Sequence, residues 1–265
     1  MKKADVPQLV RDQVKDIFIY QNPSNSQTCS LPFYADGHPG IVYLEAESAT
    51  IELPEKKQLS PIFMYGQTVH PVTIHIKGSY LMIIFRLEPL ACHQILNSDS
   101  ELINNDCLDL TLHSCSANSS LLDQLKPLNT GQKIESIARF IHCLVKQQGR
   151  GRYDEVQKAV QMILRDKGSS PVSEIRKKLF LSERTFQRKF RQVVGITPKQ
   201  FSTIVRFHVA KNQLSDSEAS GFGDIVHHLG FSDQSHFIKV FKRYTGKTPV
   251  DYLNHVSAGS HQPLN

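Results

Sequence analysis

Apolar and polar positions follow two different periods in two parts of the chain. Through the first half they come in short runs separated by turn signals: Ile17 to Tyr20, Asp36-Gly37 ahead of Ile41 to Leu44, Val69 to Ile76, then Lys77-Gly78 and Tyr80 to Leu87. Val72-Thr73-Ile74-His75-Ile76 places its apolar residues on one side and Thr73 and His75 on the other, the pattern of a half-buried strand. From about Ser119 the period lengthens. Ile134, Ile137, Ile141, Leu144 and Val145 recur at intervals of three and four, which predicts a helix with one apolar stripe. Such a stripe docks on its own domain or pairs two subunits. Gln147 to Arg152 reads as a short polar linker and places a boundary near residue 150. A new helical pattern follows in Tyr153, Val156, Val160, Ile163 and Leu164, and Gly168-Ser169-Ser170-Pro171 stops it. The expected fold class is α+β: a sheet-rich domain with terminal helices over 1–150, then an all-α domain over 151–265.

The all-α part contains an internal repeat. At a constant offset of 51 residues, Phe186, Phe190, Gly195, Thr197, Pro198 and Phe201 align with Phe237, Phe241, Gly246, Thr248, Pro249 and Tyr252. Each copy has the makings of the second helix of a helix-turn-helix. Ser182 and Ser232 are the expected N-caps, because a serine oxygen can accept a bond from an otherwise unpaired amide of the first turn. Gly195 and Gly246 stand where a left-handed residue ends each helix. With the aromatic stripe turned inward, Arg184, Thr185, Gln187, Arg188 and Arg191 remain for the outer face of the first helix. Gln234, Ser235, Ile238, Lys239, Lys242 and Arg243 remain for the second. Arginine can bond two acceptors of guanine, glutamine can do the same for adenine, and Ile238 suits a thymine methyl, so these faces fit a DNA major groove.

Charge concentrates in the same region. Between Ser170 and His255 there are 14 Lys and Arg against 7 Asp and Glu, so this third exceeds the net +6 of the whole chain and the remainder is close to neutral. A basic segment of that kind suits a polyanion. The five cysteines, Cys29, Cys92, Cys107, Cys115 and Cys143, are odd in number and show no C-x-x-C spacing, so reduced thiols in a cytoplasm are expected rather than a disulfide or zinc framework. The longest apolar stretch, Leu81 to Phe85, is far too short to span a membrane.

Residues 153–255 resemble the DNA-binding domain of the AraC/XylS family of bacterial transcription regulators. The resemblance rests on Ile175, Leu179, Ser182, Phe186, Gln187-Arg188, Phe190, Gly195 and Pro198, then Arg206, Ala210 and Leu214. It continues through Ile225, Gly230-Phe231, Asp233, Ser235-His236-Phe237, Phe241-Lys242, Gly246, Thr248-Pro249 and Tyr252. It implies two helix-turn-helix units held apart by a long helix, here about Thr197 to Gln213, each entering one of two successive major-groove segments. Three positions depart from the family pattern: Arg176 and Val226 replace small residues and Phe180 replaces a glycine. At Arg176 this implies either a side chain redirected to a phosphate or a helix pair set slightly apart.

The resemblance further implies an N-terminal domain that binds a small-molecule effector, forms a homodimer, or both, often as a cupin-type barrel. It also implies RNA polymerase as a partner beside double-stranded DNA, with activation the commoner outcome. No metal or other cofactor is expected: His70 and His75 are five apart and fall on opposite sides of a strand, and His38, His93 and His113 read as turn or surface residues. No enzyme is expected either, since G-x-S-x-G, a Walker loop and H-E-x-x-H are all missing. Cys92, Cys107 and Cys115 lack the tetrad spacing of the family's methyl-accepting repair proteins. The alternative to a regulator is an architectural DNA binder of low sequence preference.

Overall fold

The structure is a computed structural model that describes residues 1–23, 28–52, 56–96, 98–111, 118–147, 153–216 and 229–257. The N-terminal part is an antiparallel sheet of β1 (Lys2–Ala4), β2 (Val14–Asn22), β3 (Cys29–Phe33), β4 (Gly40–Glu52), β5 (Lys56–Gln58), β6 (Ile62–Tyr65), β7 (Val72–Leu87) and β8 (Cys107–Asp109). Two long strands, β4 and β7, pair along most of their length at the centre. On the other edge of β7 lie β3 beside Val72–Ile76 and β2 beside Tyr80–Leu87, and the outer edge of β4 carries β6 and β5. Among the described residues β1 pairs only with β2 and β8 only with β6, so the expected sheet-rich domain is an open sheet.

Lys77-Gly78, expected as a turn between two strands, lies inside β7. Gly78 takes a φ of 80° and the register against β4 shifts between Ala46 and Ser48. A bulge of this kind adds a residue to one strand and bends it without ending it, and a glycine meets the positive φ at no steric cost. One long strand therefore serves two neighbours.

Both sheet faces are dry, which explains the unbroken apolar run Leu81 to Phe85. Ile17, Ile41, Tyr43, Ile62, Ile83, Phe85 and Leu87 pack on one face with Ile95, Ile134, Ile137, Ile141 and Leu144. These last come from α1 (Ala91–Leu96) and α3 (Thr130–Gln147), the latter preceded by α2 (Asn118–Leu125). The α3 stripe thus docks on its own domain, the first of the two alternatives. On the opposite face Tyr20, Phe33, Val42, Leu44, Phe63, Tyr65, Ile74, Met82 and Ile84 form a second apolar cluster. The free space left among them is about 20 Å³, room for about one water.

The C-terminal part consists of α4 (Asp154–Arg165), α5 (Val172–Lys178), α6 (Glu183–Val194), α7 (Pro198–Asp216), α8 (Gln234–Thr245) and α9 (Pro249–Ser257). The linker expected at 147–152 lies, past Gln147, outside the described residues, as do Ile225, Val226, His113 and Cys115. Cys29, Cys92 and Cys107 are buried, and Cys143 is exposed. No helix among the described residues is long and apolar enough to cross a membrane.

Candidate nucleic-acid interface

The helix starting at Glu183 is fixed at both ends by its own sequence. Ser182 Oγ accepts a 3.2 Å bond from the Thr185 amide, and Gly195, at φ 94°, closes the C-terminus by donating its amide to Arg191 O. The second copy is built alike with one correction: its N-cap is Asp233, whose carboxylate accepts from the His236 amide at 2.7 Å, while Ser232 donates its hydroxyl to Asp233. Asp233 lies 51 residues after Ser182, so the cap obeys the same repeat as the aromatic residues. A carboxylate also suits the positive end of the helix better than a hydroxyl does, and the capping bond holds the Asp233 carboxyl below its ordinary value.

Inside, α7 joins the two units through aromatic contacts. Phe201 packs on Phe190 at 5.7 Å between ring centres, and Phe207 packs on Phe241 and Tyr244 at 5.3 and 5.2 Å. Arg206 ties the units by hydrogen bonds. Its Nε donates at 3.1 Å and its Nη2 at 2.6 Å to Gly168 O, its Nη1 donates at 2.8 Å to Gly230 O, and its guanidinium lies 5.4 Å from the Phe231 ring centre. One side chain thereby joins the turn before α5 to the turn before α8. Ser202 Oγ adds a 2.8 Å bond to Gly168 O.

Of the residues expected to face DNA, Arg184, Gln187, Arg188 and Arg191 on α6 are exposed, as are Gln234, Ser235, Ile238, Lys239, Lys242 and Arg243 on α8. Thr185 is half-buried, and its hydroxyl accepts from Ser182 Oγ. Gln187 donates to Glu183 at 3.1 Å, one helical turn back. Arg176, with a phosphate contact as one of its two expected outcomes, instead donates to Leu181 O at 3.0 Å within the turn between α5 and α6. Phe180 sits in that same turn with φ 54° and is 95% exposed.

The N-terminal domain is in contact with this apparatus, which the sequence did not announce. Ser100 Oγ donates to Val193 O at 2.8 Å, and Asn104 Nδ2 donates to Gly195 O. Glu101 lies 3.7 Å from Arg191 Nε, and Asp99 and Glu101 share a cleft with Gln187, Arg188 and Arg191. His93 pairs with the Tyr153 hydroxyl at 2.7 Å. Tyr34 and Ala35, in the loop before β4, and Val69, in the loop before β7, belong to the same apolar cluster as Phe201, Ile204 and Tyr252.

Beneath that loop lies a buried ionic cluster. Arg86 bonds to Asp16 and stands 3.4 Å from Asp36, whose Oδ1 accepts from the His38 amide at 2.9 Å. Burial opposes ionisation of Asp36, yet His38, Arg86 and His208 around it hold its carboxyl below the ordinary value. Burial pushes His38 down to about 4 and His208, on α7, to about 3. Neutral His38 fits its surroundings, since Lys15 can donate to Nε2 at 3.0 Å while Nδ1–H donates to Leu87 O at 2.9 Å. Burial also lowers Lys211, one turn after His208, to about 8. His38 and His93, expected in turns or at the surface, are therefore buried and bonded at the domain junction.

Residues 175–255 match a helix-turn-helix domain family. Over 71 residues the chain is 41% identical to the HTH-type transcriptional activator RhaS of Escherichia coli O157:H7, a match covering 27% of this chain and 25% of that protein. RhaS of strain K12 / DH10B is 39% identical over an equal length. The match therefore spans about a quarter of these relatives. In fold, the chain is similar to ToxT from Vibrio cholerae, with a TM-score of 0.52 at 12% identity over 90% of this chain and 97% of that one. It is likewise similar to wild-type ToxT from strain SCE256 bound to an unsaturated fatty acid, with a TM-score of 0.50 at 11% identity over 94% and 98%. With its repeated capped helices, joining helix and matched domain, the C-terminal part of the chain carries a helix-turn-helix domain of the AraC/XylS type.

Proposed function

We propose that the protein is a sequence-specific regulator of transcription, acting as an activator in the cytoplasm, that reads two successive major-groove segments with α6 and α8. The observation that carries this is the pair of capped helices with exposed arginine, glutamine and lysine faces, spaced by one packed helix and clamped by Arg206. A free helix with a basic face needs no such clamp; two readers that must fit one duplex do. RNA polymerase is the partner that an activator requires, and the relatives matched in the DNA-binding domain are named as activators.

The N-terminal domain supplies control. Its contacts with α6 and α7 give an effector, or a second copy of the chain, a path to the DNA-binding surface. A fatty acid is bound in one ToxT structure of similar fold, which makes an amphipathic carboxylate the first class of effector to try. The test of the whole reading is selection of bound sequences from random DNA by the full-length protein at several salt concentrations. Two conserved blocks about one helical turn apart support it. Recovery of no motif, with binding that only falls with salt, would establish an architectural binder instead.

A further inference from the structure

The turn between α5 and α6 spends backbone energy on a side chain that buries nothing. Phe180 holds a left-handed φ of 54°, a conformation in which a side chain crowds its own backbone, and it is 95% exposed. Its neighbours do the packing: Leu179 and Leu181 both rest on the apolar core. The turn is held from both directions, because Leu181 N donates to Arg176 O at 3.4 Å and Arg176 Nη1 donates to Leu181 O at 3.0 Å. The second unit shows what such a turn needs. There the left-handed residue ahead of the recognition helix is Gly230, at φ 68°, with open space where a side chain would begin. The phenyl ring of the first unit is thus an addition to a turn whose backbone is held in place.

Its setting names its partner. Phe180 stands two residues before the Ser182 cap, between exposed Lys177 and Lys178 on one side and exposed Arg184 on the other. Cations flank it, and the start of the helix that reads base edges follows it. An apolar ring at the mouth of a major groove meets one apolar group of the bases, the 5-methyl of thymine. We propose that Phe180 is a base-reading residue of the first unit, its ring packed on a thymine methyl at the edge of the segment read by α6. This rests on the DNA-reading function above.

The experiment uses the full chain and its selected site. Phe180→Gly should raise the melting temperature, because it removes the strain and loses no packing, yet weaken binding to the site about tenfold. Each thymine is then replaced in turn by deoxyuracil, which lacks only the methyl. At one thymine bordering the first-unit block the wild type should lose about fourfold, the worth of one methyl removed from water, and Phe180→Gly should lose nothing there. If Phe180→Gly binds as tightly as wild type, or if both proteins respond alike at every thymine, the assignment is wrong and the ring serves a protein partner. A wild type that selects no sequence would overturn the DNA reading itself, and this inference with it.

Discussion

Replacing Arg206 by leucine keeps the aliphatic stem and removes the clamp between the two units. The guanidinium makes charge-assisted bonds to Gly168 O and Gly230 O, a kind worth about 1.5–3 kcal/mol each. Both losses fall at the low end: Gly168 O keeps its bond from Ser202 Oγ, and the Gly230 carbonyl contact is open to water. Removing the charge also relieves a desolvation cost, since burial lowers the pKa of this arginine. The net cost should be about 2–3 kcal/mol, or a fall of roughly 5–10 °C in Tm for a chain of this size. Arg206→Lys, which can reach one carbonyl but not both, should fall between. The sharper readout is DNA binding. Two units that are no longer held at a fixed distance lose their advantage on a full two-block site, by about tenfold, while each single block is bound nearly as before. Titration of full and single-block duplexes, with thermal melts in parallel, checks both. If Arg206→Leu lowers Tm but weakens full and single sites equally, the clamp does not set the spacing; if neither changes, the bonds are not formed in solution.

Further predictions concern separate parts of the molecule. Arg188→Ala should cost about 1–3 kcal/mol on the selected site and relax base preference, whereas Lys242→Ala should weaken all sequences alike and reduce the salt slope by about 1; competition titrations against scrambled duplexes separate the two, and an unaltered Arg188→Ala would mean that the reading face is misplaced. In Gly195→Ala the new Cβ would lie 2.7 Å from Asn104 Oδ1 and 3.1 Å from Ser100 O, at a φ of 94°. Amide hydrogen exchange over 99–105 should therefore accelerate, and unchanged protection there would show that docking does not depend on this approach. Acid should destabilise the fold early: His38 and His208 are neutral when folded, at about 4 and 3, against an ordinary 6.5, so the unfolded chain binds more protons between those values. The histidine contribution is then complete above about pH 6.5 and declines as pH falls toward 4, with Asp36, Arg86, Lys15 and Lys211 setting the local field. The double variant His38→Gln, His208→Gln should flatten that decline in denaturant melts at pH 7 and pH 5; an equal decline would place its origin elsewhere.

What could be read from the sequence was what local chemistry decides. The alternation in Val72 to Ile76, the α3 stripe, the Ser182 cap and the two left-handed glycines each depend on residues within one or two turns, and each appears as expected. Where two local solutions compete, reading fails by small steps. Ser232 and Asp233 are both good caps, and only the repeat register picks the second. Lys77-Gly78 satisfies a turn and a bulge equally, and the pairing partner, β4, decides. Contacts across the domain junction left no trace in the pattern, because Ser100 and Val193 are 93 residues apart and neither is unusual for its own element. The burial of His38 is of the same kind, imposed by Arg86 and Leu87 from another strand.

The last carbonyls of α6 have a consequence for how this protein can be cut. A helix normally finishes its own C-terminus or leaves it to water. Here Val193 O and Gly195 O receive further donors from Ser100 and Asn104 of the other domain, so the end of α6, closed by its own Gly195, gains two more bonds when the two halves are together. A fragment carrying the DNA-binding part alone would be a different object from the same residues in the whole chain. It would lose those two bonds at the end of α6 and bare the apolar surface that now meets Tyr34 and Ala35. Differences in affinity between fragment and full protein would then register the lost support as well as any lost control.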